Sequence, residues 1–339
     1  MKIANINTDD KVFIIAEIGN NHEGNVEVAK RMIQAAANSG VDAVKFQTIR
    51  AQHLIQSIDK NRFDTLKSFE LTFNDYINLS EVARNEGVKF LSTPFDIEAA
   101  SFLNDYVPAF KIASGDNNFY PLLEKIAGFG KPIIMSTGLA DLTQIRVTKE
   151  KIEKVWEEKK INSEIAFLHC VSSYPTPPGE ANLNKIKLLK EKFSFCIGYS
   201  DHTIGILAAI SSVALGSRII EKHFTIDKTF SSFRDHSLSA DPEEMKILVK
   251  HVRDIELMIG NDKKVISKSE SINSTASRRS IAVNKNITAG NKIKKADLCW
   301  LRPGVGIQPG LEDQVIGSIV TKDILKGTIL MNSYLRKQK

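Results

Sequence analysis

A chain of 339 residues holds one α/β barrel and a small appendage, and 42% apolar with 25% charged residues is ordinary globular composition. No apolar run is long enough to cross a bilayer and Met1–Asp10 has no basic-then-apolar leader, so the sequence reads as a soluble cytoplasmic protein. The formal charge of +6 is uneven, since residues 263–339 carry 15 basic against 5 acidic side chains and the rest is net acidic. Those lysines are scattered among strand and turn signals without an arginine-rich run or stacking aromatics, so nucleic acid is not expected as a partner. Cys170, Cys196 and Cys299 are widely spaced and odd in number, which suits a reducing compartment and gives no paired-cysteine metal site.

Eight short segments rich in β-branched or aromatic residues follow one another at 12–18, 43–48, 89–95, 109–115, 132–138, 165–170, 196–201 and 219–225. Helical patterns separate them. The stretch 25–38 puts Val28, Met32, Ala35 and Ala36 on one side, and 75–86 does likewise with Ile77, Leu79, Val82 and Ala83. Further helices are predicted near 97–105, 119–129, 141–159, 182–192, 205–215 and 242–259. Eight alternations of strand and helix predict a (β/α)8 TIM barrel over 1–260, with a doubly wound open sheet as the competing architecture. Residues 261–280 are polar and serine-rich and read as a linker. Within 281–339, Val283, Lys285, Ile287, Gly290 and Ile293 recur 37 residues later as Val320, Lys322, Ile324, Gly327 and Leu330, which predicts a small, mostly β domain.

Barrels keep their chemistry at the C-terminal ends of the strands, and nearly every strand here ends in polar side chains. In order these include Glu17, Lys45, Thr93, Lys111 with Ser114, Ser136, His169, Ser200 with His202, and Glu221 with His223. Lys45 and Lys111 interrupt apolar stretches, where an unpaired charge costs several kcal/mol, so an anion should meet them. Together with Thr93, Ser114, Ser136 and Ser200 they form a candidate phosphate and carboxylate cradle. Pairing with a strand carboxylate such as Glu17 is the alternative for these lysines. A Schiff-base aldolase using one desolvated lysine is a rival chemistry. His223 alternates with Glu221 on one strand and His202 ends the strand before it, so two imidazoles meet at one rim and suit a divalent metal such as Mn²⁺, with Mg²⁺ or Co²⁺ as alternatives. His22, His169 and His236 have no second ligand in their local sequence. Tyr174, in the stiff Tyr174–Pro178 loop, and Asp235, before a helix start at Asp241, are candidate sugar contacts. Arg302 sits in a glycine-rich turn, Arg302–Gly306.

The runs Glu17–Gly24, Lys45–Thr48, Ser92–Phe95, Lys111–Asp116, Ser200–Thr203 and Glu221–Thr225 resemble the signatures of the sialic acid (N-acetylneuraminate) synthases, and the tail with Arg302-Pro303-Gly304 resembles their antifreeze-like (SAF) domain. That resemblance implies a barrel joined to a SAF domain in a domain-swapped homodimer, with Arg302 of one protomer reaching the barrel mouth of its partner. It implies that Lys45, Thr93, Lys111, Ser114, Ser136 and Ser200 hold phosphoenolpyruvate, that His202 and His223 hold the metal, and that Glu17, Tyr174 and Asp235 face the sugar. Ser172 stands where the neuraminate branch commonly has Asn, whereas Asp116-Asn117-Asn118 is similar to that branch. The expected reaction is metal-dependent condensation of phosphoenolpyruvate with N-acetylmannosamine by C–O cleavage, with Glu17 as the acid–base group. Legionaminic or pseudaminic acid synthesis from a diacetamido dideoxy sugar is the alternative.

Overall fold

Period-two alternation sorts the residues of eight parallel strands between two faces, and this sorting builds the site. The computed structural model describes residues 1–337, and the chain divides into two units, Met1–Gly260 and a second that begins at Asn261. In the first unit the strands are β1 (Phe13–Gly19), β2 (Ala43–Thr48), β3 (Lys89–Pro94), β4 (Phe110–Ile112), β5 (Ile133–Ser136), β6 (Ile165–Cys170), β7 (Cys196–Asp201) and β8 (Ile219–His223). They run in the order β3-β2-β1-β8-β7-β6-β5-β4, all parallel, and β3 lies beside β4 to close the barrel. The doubly wound sheet is excluded.

Phe13, Ile15, Ala43, Leu91, Ile134, Ala166, Leu168 and Ile219 pack together inside the lower barrel, and Met1 and Ile3 from a two-stranded N-terminal hairpin plug that end. Alternate residues such as Ile14, Val44, Phe90, Phe110, Phe167, Ile197 and Ile220 face the helices instead. The helices are α1 (Val26–Asn38), α2 (Lys60–Phe69), α3 (Phe73–Asn85), α4 (Ile97–Leu103), α5 (Tyr120–Ala127), α6 (Leu142–Lys159), α7 (Asn184–Lys192), α8 (Leu207–Ala214), α9 (Arg234–Leu238) and α10 (Pro242–Ile259). Side-chain oxygens of Asn25, Thr72, Asp96, Asp141 and Asp241 accept the otherwise unpaired amides of the helices that follow them.

The segment between β2 and α3 holds α2, which the sequence does not announce, because Phe69 is its one buried residue and its apolar positions have no helical spacing. Asp235 sits inside the short helix α9, ahead of the helix that starts after Asp241. The segment 261–280 carries α11 (Lys268–Ser277), started by a Ser267–Glu270 capping box and with none of its residues buried. In the second unit β9 (Ser280–Val283) pairs with β10 (Leu298–Leu301), and β11 (Ile319–Val320) with β12 (Leu335–Arg336), all antiparallel. The repeat mates Ile287 and Ile324 exchange both backbone hydrogen bonds at 2.8 Å, and Val283, Val320, Ile293 and Leu330 share their core. No helix among the described residues is long and apolar enough to cross a membrane.

Gly198, inside β7, has no room for a methyl group: a Cβ there would lie 2.4 Å from the Ile219 carbonyl oxygen and from Leu168 Cδ2. Gly198→Ala should cost ~1–3 kcal/mol of stability, read as a lower urea midpoint with an unchanged slope.

Candidate active site

Above the apolar layers the same inward-facing positions become polar. The register pairs Glu17 with Lys45 and with His223, and Glu221 with Ser200, so these side chains form rows across adjacent strands. Lys45 Nζ lies 2.7 Å from Glu17 Oε2 and 3.8 Å from Glu221 Oε2, and donates to Thr93 Oγ1 at 3.0 Å. Lys111 Nζ lies 3.5 Å from Glu221 Oε1 and donates to Ser136 Oγ at 2.7 Å, while Ser200 donates to the same Glu221 oxygen at 2.9 Å. All four charged side chains are buried. Of the two readings weighed for Lys45, the strand ion pair with Glu17 is therefore present, and a bound anion would have to share the ammonium with it.

The two carboxylates are driven apart. Burial raises the pKa of Glu17, with the neighbouring Glu221 adding to it, and the pull of Lys45 does not cancel that rise. Burial acts on Glu221 in the same sense, but Lys111 and Lys45 together outweigh it and hold its pKa below the usual carboxylate value. Burial likewise lowers the pKa of Lys111. Glu17 is thus the more readily protonated of the two carboxyls, and Glu221 the more persistent anion, facing both lysines.

His202 and His223 face each other with ring centroids 5.4 Å apart, and the Tyr174 ring lies 4.2 Å from the first and 6.2 Å from the second. His202 Nδ1 is 2.8 Å from the Val171 carbonyl oxygen. It donates there, which leaves Nε2 with its lone pair, the arrangement that metal-binding histidines use. Burial holds His223 neutral, and its Nδ1 is buried without a protein partner. Burial opposes charge on His202, yet the Cys170 sulfur beside it prevails and raises its pKa. No group of three or more His, Cys, Asp or Glu converges in metal-binding geometry among the described residues. Two imidazole nitrogens with open remaining positions fit a divalent cation that also accepts substrate oxygens.

Lys45, Thr93, Lys111, Ser114, Ser136 and Ser200 all line one narrow inner chamber of about 50 Å³, together with Glu17, Tyr174, His202 and His223. It opens into an outer chamber of about 820 Å³ whose walls include Tyr174, Arg234, Asp235 and Ser172, and whose apolar side is Leu54, Leu66, Phe69, Phe95 and Phe233. Arg234 stacks over the Tyr174 ring at 4.8 Å and donates to Asp235 at 3.1 Å. Arg302 belongs to the second unit, on its exposed Arg302–Gly306 turn. Sequence reasoning did not assign roles to Gln47, Asn20 or Cys170, or to the α2 wall. Gln47 donates to Glu17 Oε1 at 2.9 Å and accepts from Asn20 at 2.9 Å, and its signal was the two-residue step from Lys45 along β2. Cys170 shares the inner chamber by the same rule on β6.

Residues 32–264 match the NeuB family, and residues 278–336 match the SAF domain. The chain belongs to the NeuB family. It is 38% identical to the N,N'-diacetyllegionaminic acid synthase of Legionella pneumophila, over 94% of this chain and 93% of that one. With the N-acetylneuraminate-9-phosphate synthase of Mus musculus the identity is 33%, over 92% and 88%. The crystal structure of the N-acetylneuraminic acid (sialic acid) synthetase of Leptospira borgpetersenii, in complex with citrate, superposes with a TM-score of 0.74 at 36% identity, covering 80% of this chain and 94% of that one. The family assignment and the barrel-plus-SAF architecture agree with the resemblance read from the strand-end motifs.

Asp116, on the rim of the outer chamber, is pushed up to about 6 by burial, and its Oδ2 has no protein partner. Because the folded pKa lies above the ordinary 3.8, this group's contribution is most favourable below pH 4 and is lost as pH rises through 6. Asp116→Asn should therefore stabilise the fold by roughly 1–3 kcal/mol at pH 7.5 and by nothing near pH 3.5, checked by thermal melts at both values.

Proposed function

We propose that the chain is a sialic-acid-type synthase that condenses phosphoenolpyruvate with an N-acetylated amino sugar and water, N-acetylmannosamine giving N-acetylneuraminate and phosphate. The observation that carries this reading is the buried Lys45–Glu17–Glu221–Lys111 quartet set against two imidazoles. It combines cationic and hydroxyl donors for a phosphate and a carboxylate, one protonatable carboxyl and a place for a cation in a single chamber. The names of the relatives support the reaction class, and three free cysteines suit a cytoplasmic setting.

Lys45 and Lys111, with the hydroxyls of Thr93, Ser114, Ser136 and Ser200, bind and orient phosphoenolpyruvate by charge-assisted hydrogen bonds. His202 and His223 would hold a divalent cation, Mn²⁺ foremost, and the chemistry it would supply there is Lewis-acid polarisation of the sugar carbonyl. The enolic methylene carbon attacks the aldehyde carbon, water adds at the phosphate-bearing carbon, and the carbon–oxygen bond to phosphate breaks. The added water loses two protons as it becomes the keto oxygen, one balancing the proton gained by the aldehyde oxygen and the other leaving with the phosphate. Glu17, whose pKa is raised, holds and moves a proton at its carboxyl, while Glu221 stays anionic and keeps the lysines aimed. Tyr174, its phenol held neutral by burial, is a hydrogen-bond donor to the sugar, and Asp235 accepts from sugar hydroxyls. By resemblance, Arg302 of one protomer in a domain-swapped homodimer completes the mouth of its partner's barrel.

A second reading, a diacetamido dideoxy sugar as in legionaminic acid synthesis, is favoured by the apolar side of the outer chamber, which suits a 6-methyl group, and by the buried, unpartnered Ser172 hydroxyl. Phosphate release and product mass with each sugar decide between them, and phosphate release with neither overturns the class. Label in the bridging oxygen of phosphoenolpyruvate should appear in phosphate, and label retained in the acid product contradicts C–O cleavage. Chelation should abolish turnover and Mn²⁺ restore it, whereas full activity without metal, or borohydride trapping of Lys111, would establish the Schiff-base rival. Mixing inactive Arg302→Ala and Lys45→Ala chains should restore part of the activity if sites are shared between protomers.

A further inference from the structure

His236 lies in α9, immediately after Asp235, and its side chain is fully buried beside Phe230 and Phe233, at centroid distances of 5.2 and 6.1 Å. Both of its ring nitrogens are engaged. Thr225 Oγ1 lies 2.7 Å from Nδ1 and 3.0 Å from the Asp227 carbonyl oxygen, and accepts from the Asp227 amide at 3.3 Å. His236 Nε2 is 3.0 Å from Glu23 Oε1, which also accepts the Ser231 hydroxyl. A carboxylate accepts only, so Nε2 donates to it in a charge-assisted hydrogen bond.

The backbone of Glu23 is held at φ +47°, in the left-handed region that a non-glycine residue occupies when its surroundings impose it. Glu23 belongs to the loop leaving β1, six residues after Glu17, and His236 belongs to the segment following β8, the strand paired with β1. A second tie crosses the same seam. Asn21 Nδ2 donates to the Phe224 carbonyl at 2.8 Å and to Ser239 Oγ at 3.0 Å, and Ser239 Oγ donates to the Asp235 carbonyl at 2.6 Å.

We propose that the Glu23–His236 pair is a latch between the loops of the first and last barrel strands that sets where Asp235 and the Arg234–Tyr174 stack stand in the outer chamber. Glu23 and His236 are then positioning residues for the amino sugar, and they do not touch the phosphoenolpyruvate cradle. This use of the latch rests on Asp235 facing the sugar.

The test compares full-length wild type with Glu23→Gln, His236→Gln and the double variant. Backbone hydrogen exchange over 233–239, measured without substrates, should accelerate about tenfold in each variant, because a charge-assisted hydrogen bond is lost. Sugar KM should rise about tenfold with kcat within about threefold, phosphoenolpyruvate affinity by calorimetry should not move, and the double variant should be no worse than either single one. Unchanged exchange overturns the latch whatever the enzyme makes. Faster exchange with an unchanged sugar KM, or with a parallel loss of phosphoenolpyruvate affinity, overturns its positioning role. If wild type turns over no amino sugar, the functional reading fails separately and exchange alone decides the latch. Should a Gln variant fail to fold, Thr225→Val removes the Nδ1 partner together with the Thr225–Asp227 hydrogen bonds and is read in the same two ways.

Discussion

Everything at the barrel mouth depends on keeping four charges out of water. Two ammoniums and two carboxylates in one dry chamber are stable only as a set, because removing any one leaves an uncompensated buried charge that costs about 3–5 kcal/mol. The strand register makes the set possible by putting Glu17 opposite Lys45. The hydroxyls of Thr93, Ser136 and Ser200 then satisfy the remaining valences. The same mutual dependence separates the two carboxyls: Glu221 faces both lysines and Glu17 only Lys45, so Glu17 is the more readily protonated of the two.

The barrel interior has two regimes set by one alternation. Below, Phe13, Ile15, Leu91, Leu168 and Ile219 make a dry floor, and one or two steps further along the same strands Glu17, Thr93, Cys170, Glu221 and His223 make a polar ceiling. A rigid apolar floor supplies the precision that the ceiling needs, since side chains packed on strands hold geometry better than side chains on loops. The wider chamber above is built differently, from loops, from α2, which buries only Phe69, and from α9, whose five residues are too few to show a helical period.

That difference decides how much could be read from the sequence. The eight strands and the helices on them were legible because apolar spacing reports burial, and the inner chamber followed because Lys45 or Glu221 in an apolar strand breaks a pattern that is otherwise regular. Helices α2, α9 and α11 were not legible, because none presents an amphipathic stripe: α2 buries Phe69, and α11 buries nothing. Gln47 was visible in principle by its two-residue step from Lys45, but a neutral amide in a strand end is a weaker anomaly than a charge. The pairing of Lys45 with Glu17 lay among the readings the sequence allowed, and only the register could select it. The His236–Glu23 contact spans 213 residues and has no local signature at all.

The two chambers are nested, and nesting imposes traffic. A molecule bound among Lys45, Lys111 and Ser136 sits beside the space walled by Leu66, Phe233 and Asp235, and the two chambers share Gln47, Phe95, Tyr174 and His223 as a common wall. A guest that reaches the inner chamber through the outer one arrives before an outer guest and leaves after it.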